Sequence, residues 1–282
     1  MTITESTLTI DGTRIHYFRG GESGPVVLLL HGGGIDSARL SWELLLTELA
    51  QTHRVYAPDF PGYGESERPA HLPYTNEFMV DFAGKFLDAL GIEKTSLVGI
   101  SMGGSVSIGY TLENPQRVEK LVLVDSYGLQ RAAPMQKLSY LFVNTPGIGP
   151  LTWWSMRSRP LLKASLGQLL RRPGALTEEL VDMAYQEVLR PGTGRAFGAW
   201  QRSEVTWTGT RTVYLDRLGE IDKPVLIVHG SKDSLVPQND AREAHKRIRG
   251  SRLEWIEGAG HWPQRDDPET FNRVVLEFLT AE

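Results

Sequence analysis

The stretch Leu97-Val98-Gly99-Ile100-Ser101-Met102-Gly103-Gly104 constrains this chain more than any other. Thr95 to Ile100 reads as a short apolar strand, and Ser105 to Asn114 reads as a helix ended by Pro115. Between them lies Gly-Ile-Ser-Met-Gly. A chain that leaves a strand, turns sharply and drops into a helix strains its tip residue, so the close neighbours must be small. Gly99 and Gly103 meet that need, and Gly104 lets the helix pack tightly on the sheet. Such a nucleophile elbow holds Oγ of Ser101 away from the sheet, near helix N–H groups that suit a developing negative charge. Five residues can match by chance in a glycine-rich chain. The strand before and the helix after supply the context.

Length and composition bound the rest. With 282 residues the chain suggests one large domain, or one with an inserted subdomain. It can bury roughly three quarters of its unfolded surface, so stability requires no disulfide or metal. The net charge of −4 (30 basic, 34 acidic) reads as spread without blocks, which favours neither nucleic acid nor an anionic membrane as a partner. There is no cysteine, which excludes disulfides, thiolate catalysis and Cys-ligated metals. Met1 to Ser6 has neither the basic region nor the apolar core of a signal peptide. No apolar run approaches transmembrane length. The expectation is a soluble cytoplasmic protein.

Thr7 to Ile10 and Arg14 to Phe18 alternate around Asp11-Gly12, as a hairpin does. Val26 to Leu30 is continuously apolar, which suits a parallel strand covered on both faces. It ends in His31-Gly32-Gly33-Gly34. Ser41 to Gln51 reads as a helix, Arg54 to Ala57 as a strand, Asp59 to Ser66 as a turn-rich loop, and Phe78 to Leu90 as a helix closed by Gly91. Lys120 to Val124 is the next strand after the elbow. From Tyr127 to about Asp216 the alternation stops, and six prolines break helical fragments. Thr177 caps the clearest of these, with Glu178 and Glu179 in its first turn. Alternation then returns with strands Val225 to His229 and Leu253 to Ile256 and helices Asn239 to Ile248 and Glu269 to Leu279.

This alternation implies an α/β fold: a mostly parallel eight-stranded sheet flanked by helices. Residues 1–126 and 217–282 form the core, and 127–216 form a helical cap inserted after the sixth strand. A cap there sits above the carboxyl ends of the strands, where such sheets place ligands.

A serine hydroxyl needs a base to take its proton and an acid to orient that base. His261 alone among seven histidines lies in a Gly-rich loop between a late strand and the last helix. His31 and His229 end buried strands and read as structural; His16, His53, His71 and His245 read as surface residues. Asp233 directly follows a strand and is the favoured acid. Asp125, just past another strand, is the rival. Asp59 reads as a tether for its own loop. The oxyanion would take the Met102 N–H and an N–H from the His31–Gly34 loop, most simply that of Gly33. Gly34, Trp262 and the cap residues Trp153 and Trp154 are the candidate substrate-binding positions. This chemistry uses no metal or organic cofactor. The implied partner is a small molecule, and both a monomer and a homodimer stay open.

The motifs His31–Gly34, Asp59–Ser66, Ser101–Gly104, Asp233 and Gly260–His261 fall in an order that resembles the α/β-hydrolase superfamily, from the hairpin to the last helix. The run Gly260-His261-Trp262-Pro263-Gln264, with Phe271-Asn272-Arg273 beyond it, resembles the meta-cleavage product hydrolases, which cut a carbon–carbon bond in a vinylogous diketone acid. Two positions depart from that subfamily. Ile100 stands where an asparagine is usual, and the cap arginine that would hold the substrate carboxylate falls near Ala184. Arg190, Arg195 and Arg202 are the available substitutes. Ser101 argues against haloalkane dehalogenases and most epoxide hydrolases of this fold, which carry aspartate at the elbow. The resemblance implies a serine esterase, with carbon–carbon hydrolysis as the first alternative. A perhydrolase-like enzyme with the same triad and a non-catalytic receptor on the same fold are further alternatives.

Overall fold

The computed structural model describes residues 2–281. A hairpin opens the chain, β1 (Thr4–Ile10) against β2 (Thr13–Gly20). Asp11 and Gly12 both have positive φ, as a two-residue hairpin turn requires. Six further strands follow: β3 (Val26–Leu30), β4 (Arg54–Pro58), β5 (Thr95–Ile100), β6 (Val118–Val124), β7 (Val225–Gly230) and β8 (Arg252–Ile256). They form one eight-stranded sheet in the order β1-β2-β4-β3-β5-β6-β7-β8. The β1–β2 and β2–β4 pairings are antiparallel, and the rest are parallel. This is the mostly parallel sheet that the alternation implied.

The helices are α1 (Ala38–Leu49), α2 (Asn76–Ala89), α3 (Met102–Glu113), α4 (Gln136–Asn144), α5 (Ile148–Ser155), α6 (Arg159–Leu169), α7 (Glu178–Leu189), α8 (Arg195–Glu204), α9 (Gln238–Arg247), α10 (Pro263–Asp266) and α11 (Pro268–Thr280). Every residue of β3, β5 and β7 is buried. Their alternate side chains feed two cores. Leu28 and Leu30 pack with α2, α3 and α9 on one face, whereas Val27 and Leu29 pack with α1 and α11 on the other. Three of the five helices between β6 and β7 share these cores. Leu162 and Leu166 of α6 and Leu180, Val181, Ala184 and Val188 of α7 belong to the α1 side, while Ala196 and Trp200 of α8 belong to the α3 side.

Helices α1 and α3 start three residues earlier than their apolar periodicity suggests. Helix α1 begins at Ala38 because the Ser37 side chain accepts a hydrogen bond from the Leu40 N–H. Helix α3 begins at Met102, directly after Ser101. Gly103 and Gly104 are poor helix formers, but here contact with the sheet outweighs propensity. A Cβ on Gly103 would lie 2.1 Å from the Leu30 carbonyl oxygen, and one on Gly99 would lie 2.3 Å from the Gly103 carbonyl oxygen. Gly103→Ala should therefore destabilise the fold by about 3 kcal/mol. At roughly 2–4 °C per kcal/mol for a chain of this size, the melting temperature should fall by about 6–12 °C. Gly167→Ala is the control, because nothing lies within 4 Å of the added carbon. It should hold or slightly raise the melting temperature.

Candidate active site

Ser101 sits at φ 50 and ψ −115 between β5 and α3. Its N–H donates to the Val124 carbonyl at 2.9 Å, and its carbonyl accepts from the N–H groups of Ser105 and Tyr127. The end of β6 thus clamps a conformation that an L-residue rarely adopts. Ser101 opens on a cavity of about 340 Å³, and His261 opens on the same cavity.

The His261 ring is positioned from two sides. Its backbone N–H donates to the Leu169 carbonyl at 2.8 Å. Its Nδ1 lies 2.8 Å from Asp233 Oδ2. Nδ1–H donating to that carboxylate leaves Nε2 as the free acceptor. Asp233 Oδ1 accepts the N–H groups of Leu235 and Val236, which fixes the carboxylate in its turn. Burial alone would raise the Asp233 pKa. The charge of His261 and its hydrogen bond overcome that and hold the carboxyl at about 2.

Asp125 is fully buried beside Asp233, and its Oδ1 accepts the Gly230 N–H at 3.0 Å. Burial, followed by the negative charge of Asp233, pushes Asp125 well above the usual carboxylate range. Two carboxyls at close quarters cannot both ionise cheaply, and here Asp233 carries the charge. His229 completes the cluster. Its Nε2–H donates to the Val236 carbonyl at 3.2 Å, and burial lowers its pKa to about 4. Asp125, His229 and Asp233 offer ligand atoms within 4.8 Å of one another. Asp233 is committed to His261 and His229 Nε2 to a carbonyl, so the trio reads as a buried proton network.

The loop after β3 is wired through its main chain. The Phe60 N–H donates to His31 Nε2 at 3.0 Å, so Nδ1–H donates to the Gly32 carbonyl at 2.7 Å. Asp36 accepts the Gly32 N–H and the Ser41 hydroxyl, both at 2.7 Å. Nothing in its local sequence marks Asp36 for this task. Gly33, Gly34 and Met102 all line the cavity. Phe197 of α8 lies over the loop, so a Cβ on Gly33 would fall 2.5 Å from its ring. Phe197 stacks on Trp200, which meets Tyr127 edge-on. Trp153, Trp262, Phe197 and Trp200 line the cavity together. Trp154 does not. It follows Trp153 by one residue on α5 and points to solvent, which corrects its assignment to the substrate pocket. Phe197 and Trp200 fill that place, and α8 carries them inward through its buried stripe.

Other expectations also meet the structure. Asp59 accepts the N–H groups of Ala38 and Glu65, and so tethers its loop. It also bonds His16 Nδ1 at 2.8 Å, and His16 is buried, as is His53. Both had read as surface residues, because the alternation of a short strand does not reveal a loop folded over its outer face. His71 and His245 are exposed. Asp266 was not singled out, yet it accepts the N–H groups of Gly260, Arg171 and Arg172. It thereby ties the end of α6 to the His261 loop.

His229 gives a pH signature. Its folded pKa of about 4 lies below the ordinary value of 6.5, so the unfolded chain binds the proton first. The stability from keeping this ring neutral is present above pH 6.5 and is lost as pH falls toward about 4. It amounts to on the order of 3 kcal/mol. Thermal unfolding of wild type and His229→Gln from pH 8 to pH 4 should show a steeper acid decline in the wild type.

The sequence profile of the alpha/beta hydrolase fold matches residues 25–268. A 2-hydroxymuconate semialdehyde hydrolase from a Pseudomonas species is 30% identical over 276 residues, covering 95% of this chain and 91% of that one. A 2-hydroxy-6-oxo-2,4-heptadienoate hydrolase from Pseudomonas putida is 30% identical over 270 residues, covering 93% and 91%. A solved meta-cleavage product hydrolase from Pseudomonas fluorescens superposes with a TM-score of 0.82 at 28% identity, with 97% of each chain covered. The chain belongs to the α/β-hydrolase fold family.

Proposed function

We propose that this hydrolase opens small, uncharged carboxylic esters through Ser101, His261 and Asp233. Ser101 Oγ attacks the acyl carbon while His261 Nε2 takes its proton. Asp233 holds the ring in the Nδ1–H tautomer and stabilises the imidazolium that forms. The N–H groups of Met102 and Gly33 hold the oxyanion. His261 then gives its proton to the leaving alcohol. Water hydrolyses the acyl-enzyme by the same steps, with His261 acting first as base and then as acid toward Ser101.

The observation that carries this reading is the cavity wall, which contains no lysine or arginine among the described residues. A carboxylate-bearing substrate would place a charge beside Leu166, Leu169, Phe197 and Trp200 with nothing to neutralise it. Ala184 is buried in the core, so it offers no contact to substrate. Arg190, Arg195 and Arg202 line a separate cleft behind Trp153, and Arg190 already pairs with Glu65 and Glu187. Carbon–carbon hydrolysis of a dienoic acid is the second reading, supported by the names of the two Pseudomonas relatives.

Turnover of neutral esters and of 2-hydroxy-6-oxo-dienoates by the same preparation separates the two readings. The expected result is a higher kcat/KM for the esters, and the reverse order would establish the second reading. Ser101→Ala should lower kcat by at least about 10⁴-fold without changing the melting temperature. Asp233→Asn should lower it by about 10³–10⁴-fold. A fluorophosphonate should label the wild type at Ser101, and a receptor with a silent triad would stay unlabelled.

A further inference from the structure

The even charge read along the chain fails in one place. Between Ser126 and Thr177 lie seven lysines and arginines and no aspartate or glutamate. Acids from other segments pair with Arg131, Arg159, Lys163 and Arg172, which leaves Lys137, Arg157 and Arg171 without an ion pair among the described residues. The stretch contains α4 and α5, which bury none of their residues. Instead they turn large apolar side chains outward. Leu138 is 56% and Leu141 51% exposed on α4, and Leu151 is 63% and Trp154 68% exposed on α5. The i, i+3 spacing within each pair puts its two members on one side of their helix. The other side of α5 faces the catalytic cavity through Thr152 and Trp153. Helices α4 and α5 touch, so the four side chains lie on adjoining elements, and clustered exposed apolar surface marks an interaction site.

Free cations border the patch. Phe142, Pro150 and Trp154 line a cleft of about 480 Å³ together with Arg157, Arg195 and Arg202. Among the described residues these three guanidinium groups form no ion pair, unlike their neighbour Arg190. Lys137 lies over the exposed Trp207 ring at 5.5 Å.

We propose that this outer face of the cap docks on an anionic lipid surface. Leu138, Leu141, Leu151 and Trp154 enter the boundary between headgroups and acyl chains, and Lys137, Arg157 and Arg202 meet the lipid phosphates. Charge selects this occupant over a second copy of the chain. An isologous contact would set Lys137 and Arg157, which form no ion pair among the described residues, against their own copies. Docked in this way, α5 lies between the bilayer and the apolar cavity. Among the described residues no helix is long and apolar enough to cross a membrane, and the docking proposed is peripheral. The proposal goes beyond the ester reading and does not depend on it.

The test is co-sedimentation of the full chain with phosphatidylcholine vesicles, with and without phosphatidylglycerol. The expected result is binding only when phosphatidylglycerol is present, weakening as salt is raised. Leu141→Ser with Leu151→Ser should weaken binding by at least about tenfold. Lys137→Glu with Arg157→Glu should also abolish the preference for phosphatidylglycerol. Both double variants should keep the wild-type melting temperature and turnover of a water-soluble ester, which separates lost docking from lost folding. Ser101→Ala should bind as wild type does, so a failed activity assignment leaves the result intact. Wild-type protein that stays in the supernatant, or binding that neither double variant weakens, overturns the proposal. So does self-association in sedimentation velocity that Leu141→Ser with Leu151→Ser dissolves while no vesicle binding is seen.

Discussion

Main chain closing on main chain around residue 101 is the constraint that the rest of the structure answers to. The glycine at 103 faces the carbonyls that end β3, the glycine at 99 faces the first turn of α3, and the glycine at 104 faces Ser126 at the end of β6. Three strand ends and one helix start therefore meet with no room for a side chain. The His31–Gly34 loop leaves from β3, Ser101 from β5, and the residues clamping the serine from β6. Pairing these three parallel strands therefore brings the His31–Gly34 loop, Ser101 and the end of β6 together.

Electrostatics sorts the buried groups around that frame. Two carboxyls and an imidazole lie together at the ends of β6 and β7, where three charges could not coexist in a dry interior. The structure resolves this by giving each a different state. Asp233, bonded to His261 and to two amides, is ionised, while Asp125 is driven toward its neutral form and His229 stays uncharged. One negative charge remains, and it lies against the His261 ring.

The sequence made visible what repeats locally. Continuous apolar runs announced β3, β5 and β7, Asp11-Gly12 announced the hairpin, and Thr177 announced α7 through its capping side chain. The Ser101 turn was legible because its steric demand falls on immediate neighbours. What stayed hidden depends on residues far apart in the chain. Asp36 and Asp266 are ordinary surface-type carboxylates until the fold aims backbone N–H groups at them. His16 and His53 look solvent-facing until a loop and a neighbouring element cover them. Trp153 and Trp154 are adjacent in sequence, and only the rotation of α5 decides which enters the cavity. Phe197, stacked on Trp200, lies over the His31–Gly34 loop because α8 packs there, a long-range contact that no window of sequence contains.

The bond network of Asp266 has a consequence for how the roof over the cavity can move. One carboxylate grips both the exit of α6 and the loop bearing the imidazole, and the Leu169 carbonyl holds the His261 amide directly. Raising α6 would pull on the loop that carries His261. Helices α4 and α5 bury none of their residues and can yield more freely. If Ser101 and His261 react as proposed, a guest that displaces the yielding side leaves their geometry intact, whereas one that presses on α6 disturbs it. The shape of a guest would then be read in its rate of reaction as well as in its strength of binding.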